Sequence, residues 1–281
     1  MLQCSNEGRR AMKNKILFVD IDKTLLRDDR TVTEENRRAI HKMLDEGHYI
    51  ALATGRTVES GRLVIRELGL TRTGCYMVAF NGAVLYDCAA DRILLKRSMP
   101  IEVVQEIFER AERAGIYAQT YTNTDIAATR HTKELDYYKE RTHLSYKLSP
   151  NILDILEEEP QKVILICLER KERLLRFRNS NREWEKGKCT SFFSCPEYLE
   201  YCPIGTSKGT GVEYLTRILN MPKESTVAVG DEQNDIPMLE AAHLGIAVSN
   251  AIPEVKNVAD YVTENDNNHS AIAEVIEKFI L

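Results

Sequence analysis

The tightest constraint on this chain is a short apolar run that ends abruptly on carboxylates. Lys15-Ile-Leu-Phe-Val19 shows no polar alternation, and Asp20-Ile-Asp22 follows at once, with the polar turn Arg27-Asp-Asp-Arg30 beyond it. An uninterrupted apolar strand is buried on both faces, as in a parallel sheet covered by helices. The next segments fit that frame. Residues 33 to 46 place Ile40, Met43 and Leu44 on one helical face, with Thr33 as N-cap and Gly47 beyond the last turn. A strand over 48–53 breaks at Thr54-Gly55-Arg56, a helix over 58–68 ends at Gly69, and a strand over 76–80 stops at Asn81-Gly82. This β-α-β-α-β order predicts parallel strands joined by right-handed crossovers.

The same grammar returns at the far end, with a helix over 207–219, a strand over 226–229 and a helix over 236–242 carrying Pro237 in its first turn. Short strands over 245–248 and 260–263 and a helix over 270–279 complete it. Between 84 and 202 the pattern changes: strand-like segments (92–97, 116–121, 162–168, 189–194, 198–202) mix with helical ones (100–114, 133–148, 171–184). The expectation is an α/β protein. A doubly wound parallel-sheet (Rossmann-like) core formed by 1–83 and 203–281 would carry an α+β domain inserted at 84–202.

A chain of 281 residues is long enough for two such domains. Its 38 Lys and Arg against 43 Asp and Glu, net charge −5, lack the basic excess of a dedicated nucleic-acid binder. The charged stretch 170–182 contains Leu174 and Leu175 and reads as a helix with a solvated face. No apolar stretch approaches the roughly 20 residues of a membrane span. The opening MLQCSNEGRRAMKNK has no apolar segment behind its charges, so it reads as a frayed leader and not a secretory signal. Seven cysteines (4, 75, 88, 167, 189, 195, 202) form no C-x-x-C pair, the usage of reduced thiols in a cytoplasmic protein.

Four polar clusters fall at predicted strand ends or helix starts, where open parallel sheets bind ligands. They are Asp20-Ile-Asp22-Lys-Thr24, Thr54-Gly55-Arg56, Lys208 after the Pro203–Ser207 loop, and Gly230-Asp231-Glu-Gln-Asn234-Asp235. Singly each has a plain reading as a turn, a cap or a solvated side chain. Together they bring carboxylates, a hydroxyl and a lysine, with no histidine. Oxygen-only donors suit Mg²⁺, and carboxylates gathered without a cation would be driven toward protonation. A lysine in a helix's first turn, beside free N–H groups and the dipole, favours an anion. Metal plus phosphate is a phosphoryl-transfer constellation. Within Asp-x-Asp, one carboxylate can attack phosphorus to form an aspartyl-phosphate while the other handles the leaving-group and water protons.

The chain resembles the haloacid dehalogenase-like hydrolases of the Cof-type group, phosphatases with a large α+β cap between the halves of the core. The matching segments are Phe18-Val-Asp-Ile-Asp-Lys-Thr-Leu-Leu26, Ala51-Leu-Ala-Thr-Gly-Arg56, Phe80-Asn-Gly-Ala83, Ser207-Lys-Gly209, Val229-Gly-Asp-Glu-Gln-Asn-Asp-Ile-Pro-Met-Leu239 and Ala247-Val-Ser-Asn-Ala251. The resemblance implies Asp20 as nucleophile and Asp22 as general acid/base. It implies that Thr54, Gly55 and Lys208 bind the transferring phosphoryl group, with Asn234 beside it and Asn81 near the core–cap cleft. Mg²⁺ would be held by the Asp20 carboxylate, the Asp22 main-chain carbonyl and Asp231, supported by Asp235, while Arg56 braces its loop.

Two segments depart from the family pattern. Lys23 stands where a Gly is usual, and Asn265-Asp-Asn-Asn-His-Ser270 lacks the common Asp-Gly-Val. Lys23 also opens a rival register, in which Asp22-Lys-Thr24 resembles the phosphorylation motif of P-type pumps, but the following Gly-Thr is absent. A phosphomutase or phosphotransferase on the same core would carry the same four clusters. A phospho-Asp signalling domain would share the phosphorylated aspartate, but it has no use for Asp22 or a cap. Gly205-Thr-Ser-Lys-Gly-Thr-Gly211 lacks the Gly-Lys-Ser/Thr order of a P-loop. The resulting expectation is a cytoplasmic Mg²⁺-dependent phosphatase acting on a small phosphorylated metabolite, with no nucleic-acid or membrane partner. Tyrosines 117, 121, 137, 138 and 146 and His131 and His143 fall in the cap and read mainly as packing.

Overall fold

The computed structural model describes residues 14–169 and 171–281. The expected leader up to residue 13, with Cys4, lies outside the described residues, as does Arg170. The chain opens as β1 (Ile16–Asp20), α1 (Glu34–Asp45), β2 (Tyr49–Ala53), α2 (Val58–Glu67) and β3 (Cys75–Ala79). All five residues of β1 are buried, as its unbroken apolar run requires. The Thr33 hydroxyl accepts the Asn36 N–H to start α1, and Gly47, at φ +90, ends it.

β4 (Val84–Asp87) and β5 (Arg92–Lys96) come next, then α3 (Ile101–Arg113), β6 (Tyr117–Tyr121), β7 (Ile126–Ala128), α4 (Lys133–Thr142) and β8 (Tyr146–Leu148). β9 (Val163–Ile166), α5 (Lys171–Glu185), β10 (Cys189–Cys195) and β11 (Tyr198–Pro203) follow. The chain closes with α6 (Lys208–Ile218), β12 (Thr226–Gly230), α7 (Ile236–Ala241), β13 (Leu244–Ala247), α8 (Pro253–Val258), β14 (Tyr261–Val262) and α9 (Ala271–Val275).

Eight strands form one sheet in the order β14-β13-β12-β1-β2-β3-β4-β5, parallel from β14 to β3. The order grows outward on both sides from the β12–β1 pair. That reversal is the topological switch point, where a parallel sheet leaves a crevice at the strands' carboxyl ends. Asp20 ends β1 there, and Asp231 follows β12. The second sheet, β10-β11-β9-β6-β7-β8, is antiparallel except for β7 and β8. Val104 and Ile107 of α3 and Leu174 and Phe177 of α5 share a buried cluster with Val163, Leu165, Leu199 and Tyr201 on its face.

Three details depart from expectation. β4 and β5, assigned by sequence to the inserted region, extend the first sheet as an antiparallel edge on β3. The exposed Arg92 and Lys96 of β5 are the charges that blunt a sheet edge, and that polarity made the strand read as part of the insertion. The helix expected over 133–148 stops at Thr142, where His143 turns into the left-handed region (φ 57), and β8 follows. The three-residue β7 also went unread as a strand. Among the described residues, no helix is long and apolar enough to cross a membrane.

Candidate active site

Lys208 is the first residue of α6. Ser207 caps that helix reciprocally, its hydroxyl accepting the Thr210 N–H at 3.1 Å while Thr210 Oγ1 accepts the Ser207 N–H at 3.0 Å. The helix start presses on Gly82, which sits at φ +96, where a Cβ would collide with the Ser207 carbonyl oxygen. So anchored, the Lys208 ammonium is only 1% exposed and donates to Asp20 Oδ1 at 2.5 Å and Asp235 Oδ1 at 2.6 Å. The other oxygen of Asp235 accepts the backbone N–H groups of Asp231 and Glu232, each at 3.1 Å. Thr24, to which the sequence attaches no role of its own, donates its hydroxyl to Asp231 Oδ1 at 2.8 Å.

Asp20, Asp231 and Asp235 each bring a carboxylate oxygen within 4.8 Å of the other two, and all three are buried. Burial, reinforced by repulsion from Asp235 and Asp22, pushes the Asp20 carboxyl up to about 7 despite the pull of Lys208. Burial, then repulsion from Asp20 and Asp235, also raises Asp231 well above the usual range. Desolvation works against the Lys208 ammonium, yet Asp20 and Asp235 outweigh it and hold its pKa above the ordinary lysine value. One ammonium among three buried carboxylates leaves surplus negative charge that burial penalises. A hard dication fits that surplus and that oxygen donor set. Both oxygens of Asp235 are already engaged, which leaves Asp20 and Asp231 as the better-placed carboxylate ligands.

Asp22 lies two residues past the end of β1, its side chain 59% exposed and gripped by Arg56 through Nε–Oδ2 at 2.9 Å and Nη2–Oδ1 at 2.5 Å. Desolvation opposes ionisation, but the Arg56 hydrogen bonds and charge prevail and hold the Asp22 carboxyl below the ordinary carboxylate value. Arg56 therefore touches one of the proposed reacting groups as well as bracing its loop. Thr54 is buried, and its hydroxyl accepts the Arg56 N–H at 3.0 Å. Gly55 and Arg56 line a cavity of about 600 Å³ together with Asp20, Asp22, Asp231, Asn234 and Asp235.

Asn81 is fully buried. Its Oδ1 accepts from Asn234 Nδ2 at 3.0 Å and its Nδ2 donates to Glu200 Oε2 at 2.8 Å, so the amide faces the second sheet. That sheet and its helices add Tyr137, Tyr138, Lys162, Tyr198 and Glu200 to the cavity wall. Lys23 also lines it, at φ 61, the left-handed geometry that explains why a Gly is usual there. The 265–270 loop, remote in sequence, packs beside the same turn: Asn267 Nδ2 donates to the Leu26 carbonyl at 3.0 Å.

A family model for haloacid dehalogenase-like hydrolases matches residues 17–276. The chain belongs to that family. This hydrolase is 26% identical, over 95% of its own length and 98% of the relative's, to the 5-amino-6-(5-phospho-D-ribitylamino)uracil phosphatase YitU of Bacillus subtilis. It is 30% identical to TM0651 from Thermotoga maritima, with a TM-score of 0.80 and coverage of 95% of this chain and 97% of that one. A haloacid dehalogenase-like hydrolase from Bacteroides thetaiotaomicron shares the fold at a TM-score of 0.85 and 24% identity, covering 95% of this chain and 99% of that one.

Proposed function

We propose that this hydrolase is a Mg²⁺-dependent phosphatase of small phosphomonoesters that works through an aspartyl-phosphate on Asp20. The observation that carries the reading is the buried Lys208 bridging Asp20 and Asp235 beside Asp231. An Asp20 oxygen attacks phosphorus, the bond from phosphorus to the ester oxygen breaks, and Asp22, protonated once released from Arg56, gives that oxygen its proton. In the second half, the Asp22 carboxylate takes a proton from water. The water oxygen then attacks phosphorus, and inorganic phosphate leaves as Asp20 is freed. Lys208, the Thr54–Gly55 loop and Asn234 hold the phosphoryl group and offset its charge. The Asp20 and Asp231 carboxylates and the Asp22 carbonyl, with Asp235 in support, would hold Mg²⁺, which would supply the positive charge that keeps Asp20 ionised.

In this reading the first sheet carries the chemistry, and the segment built on the second sheet selects the leaving group. The tyrosines on the cavity wall and its size suit a small metabolite, and the relative that acts on a phosphorylated ribitylaminouracil supports that class. Six free thiols among the described residues support a cytoplasmic setting. The test is phosphate release from a panel of small phosphomonoesters, with Mg²⁺ and again with EDTA. Metal-dependent release is the expected result. Transfer to another hydroxyl without free phosphate would make the protein a phosphotransferase, and no reaction with any ester overturns the reading.

A further inference from the structure

A second buried ammonium lies on the cavity wall. Lys162, just before β9 and 1% exposed, donates to the Gly55 carbonyl at 2.7 Å and to Glu200 Oε2 at 3.0 Å. Glu200, in β11, also accepts from Asn81 Nδ2 through Oε2 and from Ser194 Oγ at 2.5 Å through Oε1. Asn81 connects onward to Asn234, the neighbour of Asp235. Its backbone N–H donates to the Thr54 carbonyl at 2.9 Å, and the Phe80 N–H donates to the Arg56 carbonyl at 3.0 Å. A continuous run of hydrogen bonds therefore joins the second sheet to the two loops that flank Asp20.

A pair this deep adds little stability, because dehydrating both charges costs about as much as their attraction returns. Its best-attested use is to enforce one arrangement among several, and the arrangement here needs enforcing. Phe80 (φ 49) and Asn81 (φ 53) are consecutive non-glycine residues in the left-handed region, a conformation side chains disfavour and the surroundings must hold. Gly55 leaves room for the contact: a Cβ there would stand 3.1 Å from Asn81 Nδ2 and 3.4 Å from Glu200 Oε1.

We propose that Lys162 and Glu200 are positioning residues that set the Thr54–Gly55 loop and the Asn81–Asn234 contact for phosphoryl transfer when the second sheet is docked. The inference rests on the phosphatase reading and adds to it a pair that acts through other groups. Lys162→Met/Glu200→Gln removes both charges at nearly constant volume and leaves neither unpaired, so the chain keeps its fold. With p-nitrophenyl phosphate and Mg²⁺ the full-length double variant should lose on the order of 10- to 100-fold in kcat. KM should stay within about threefold and Tm within a few degrees, whereas a merely structural role would move Tm and spare kcat. Each single variant should lose about as much as the double, the mark of a pair acting as a unit. A double variant with kcat within about twofold of wild type overturns the proposal.

Amide exchange at Phe80 and Asn81 gives an independent reading that needs no turnover. It should quicken at least about tenfold in the double variant, and unchanged exchange also overturns the proposal. If wild-type protein releases no phosphate, the phosphatase reading fails while the exchange experiment still decides the role of the pair.

Discussion

The carboxyl edge of the first sheet and its junction with the second each bury a lysine to the same depth, in opposite electrical company. Lys162 faces one carboxylate, Glu200, and the two charges cancel. Lys208 faces Asp20 and Asp235 directly, with Asp231 close by, and its charge is outnumbered. Both ammonium groups are held above the ordinary lysine pKa against desolvation, so both stay charged. Around Lys208 burial drives carboxylates toward protonation. On the readings proposed above, balanced charge at depth holds loops, and a surplus of negative charge at depth suits a dication and the phosphoryl group it would accompany.

The hardest blow to that contrast is at Asp20. Asp20→Asn should cost on the order of 10³-fold or more in kcat, measured as phosphate release from purified protein. Wild-type turnover would move the nucleophile to another group, Asp22 first. The same variant should be no less stable than wild type at pH 8 in EDTA. The folded-state value of about 7 lies above the unfolded 3.8, so ionising Asp20 costs stability as pH rises through that window, and Asn escapes the cost.

Lys208→Met strands carboxylates that were already in excess. It should cost about 10²-fold in kcat and about 3–5 kcal/mol of metal-free stability by denaturant melt. A stability loss of similar size from the charge-neutral double variant at 162 and 200 would erase the distinction between the two regions. Mg²⁺ at about 100 times its Kd should stabilise wild type by about 2.7 kcal/mol, and Asp231→Asn should lose most of that. The gain should be larger at pH 8 than at pH 6, because below about 7 a proton on Asp20 competes with the metal. Equal gains at both pH values would count against Asp20 as a ligand. The smallest effect belongs to Arg56→Met, which frees Asp22 and should move the basic limb of the pH–kcat profile upward.

The parallel part of the first sheet was legible because each strand is an apolar run broken by polar residues at its carboxyl end, a one-dimensional signal of a buried strand meeting a crevice. The same breaks led to Asp20, Asp231 and Lys208, and the structure brings these into one cluster. β5 was read as a strand but assigned to the insertion, because an edge strand must advertise charge. Lys162 and Glu200 escaped for a different reason: a lysine flanking an apolar run and a glutamate in an alternating strand are what exposed positions look like. Their burial depends on what docks against them from elsewhere in the chain. Thr24 stood in the cluster already recognised, but nothing along the sequence says which carboxylate its hydroxyl reaches.

The register of the first sheet also orders events in time. Ile16 pairs with Thr226, so β1 finds its neighbour β12 only after the whole of the second sheet and α6 have been made. Closing so long a loop costs only logarithmically more than closing a short one, but it makes the pairing late. A nascent or truncated chain holds Asp20 and Asp22 without Lys208 or Asp231. On the proposed reading the half-built protein can therefore neither gather the metal nor hold a phosphoryl group until α6 and β12 have been made.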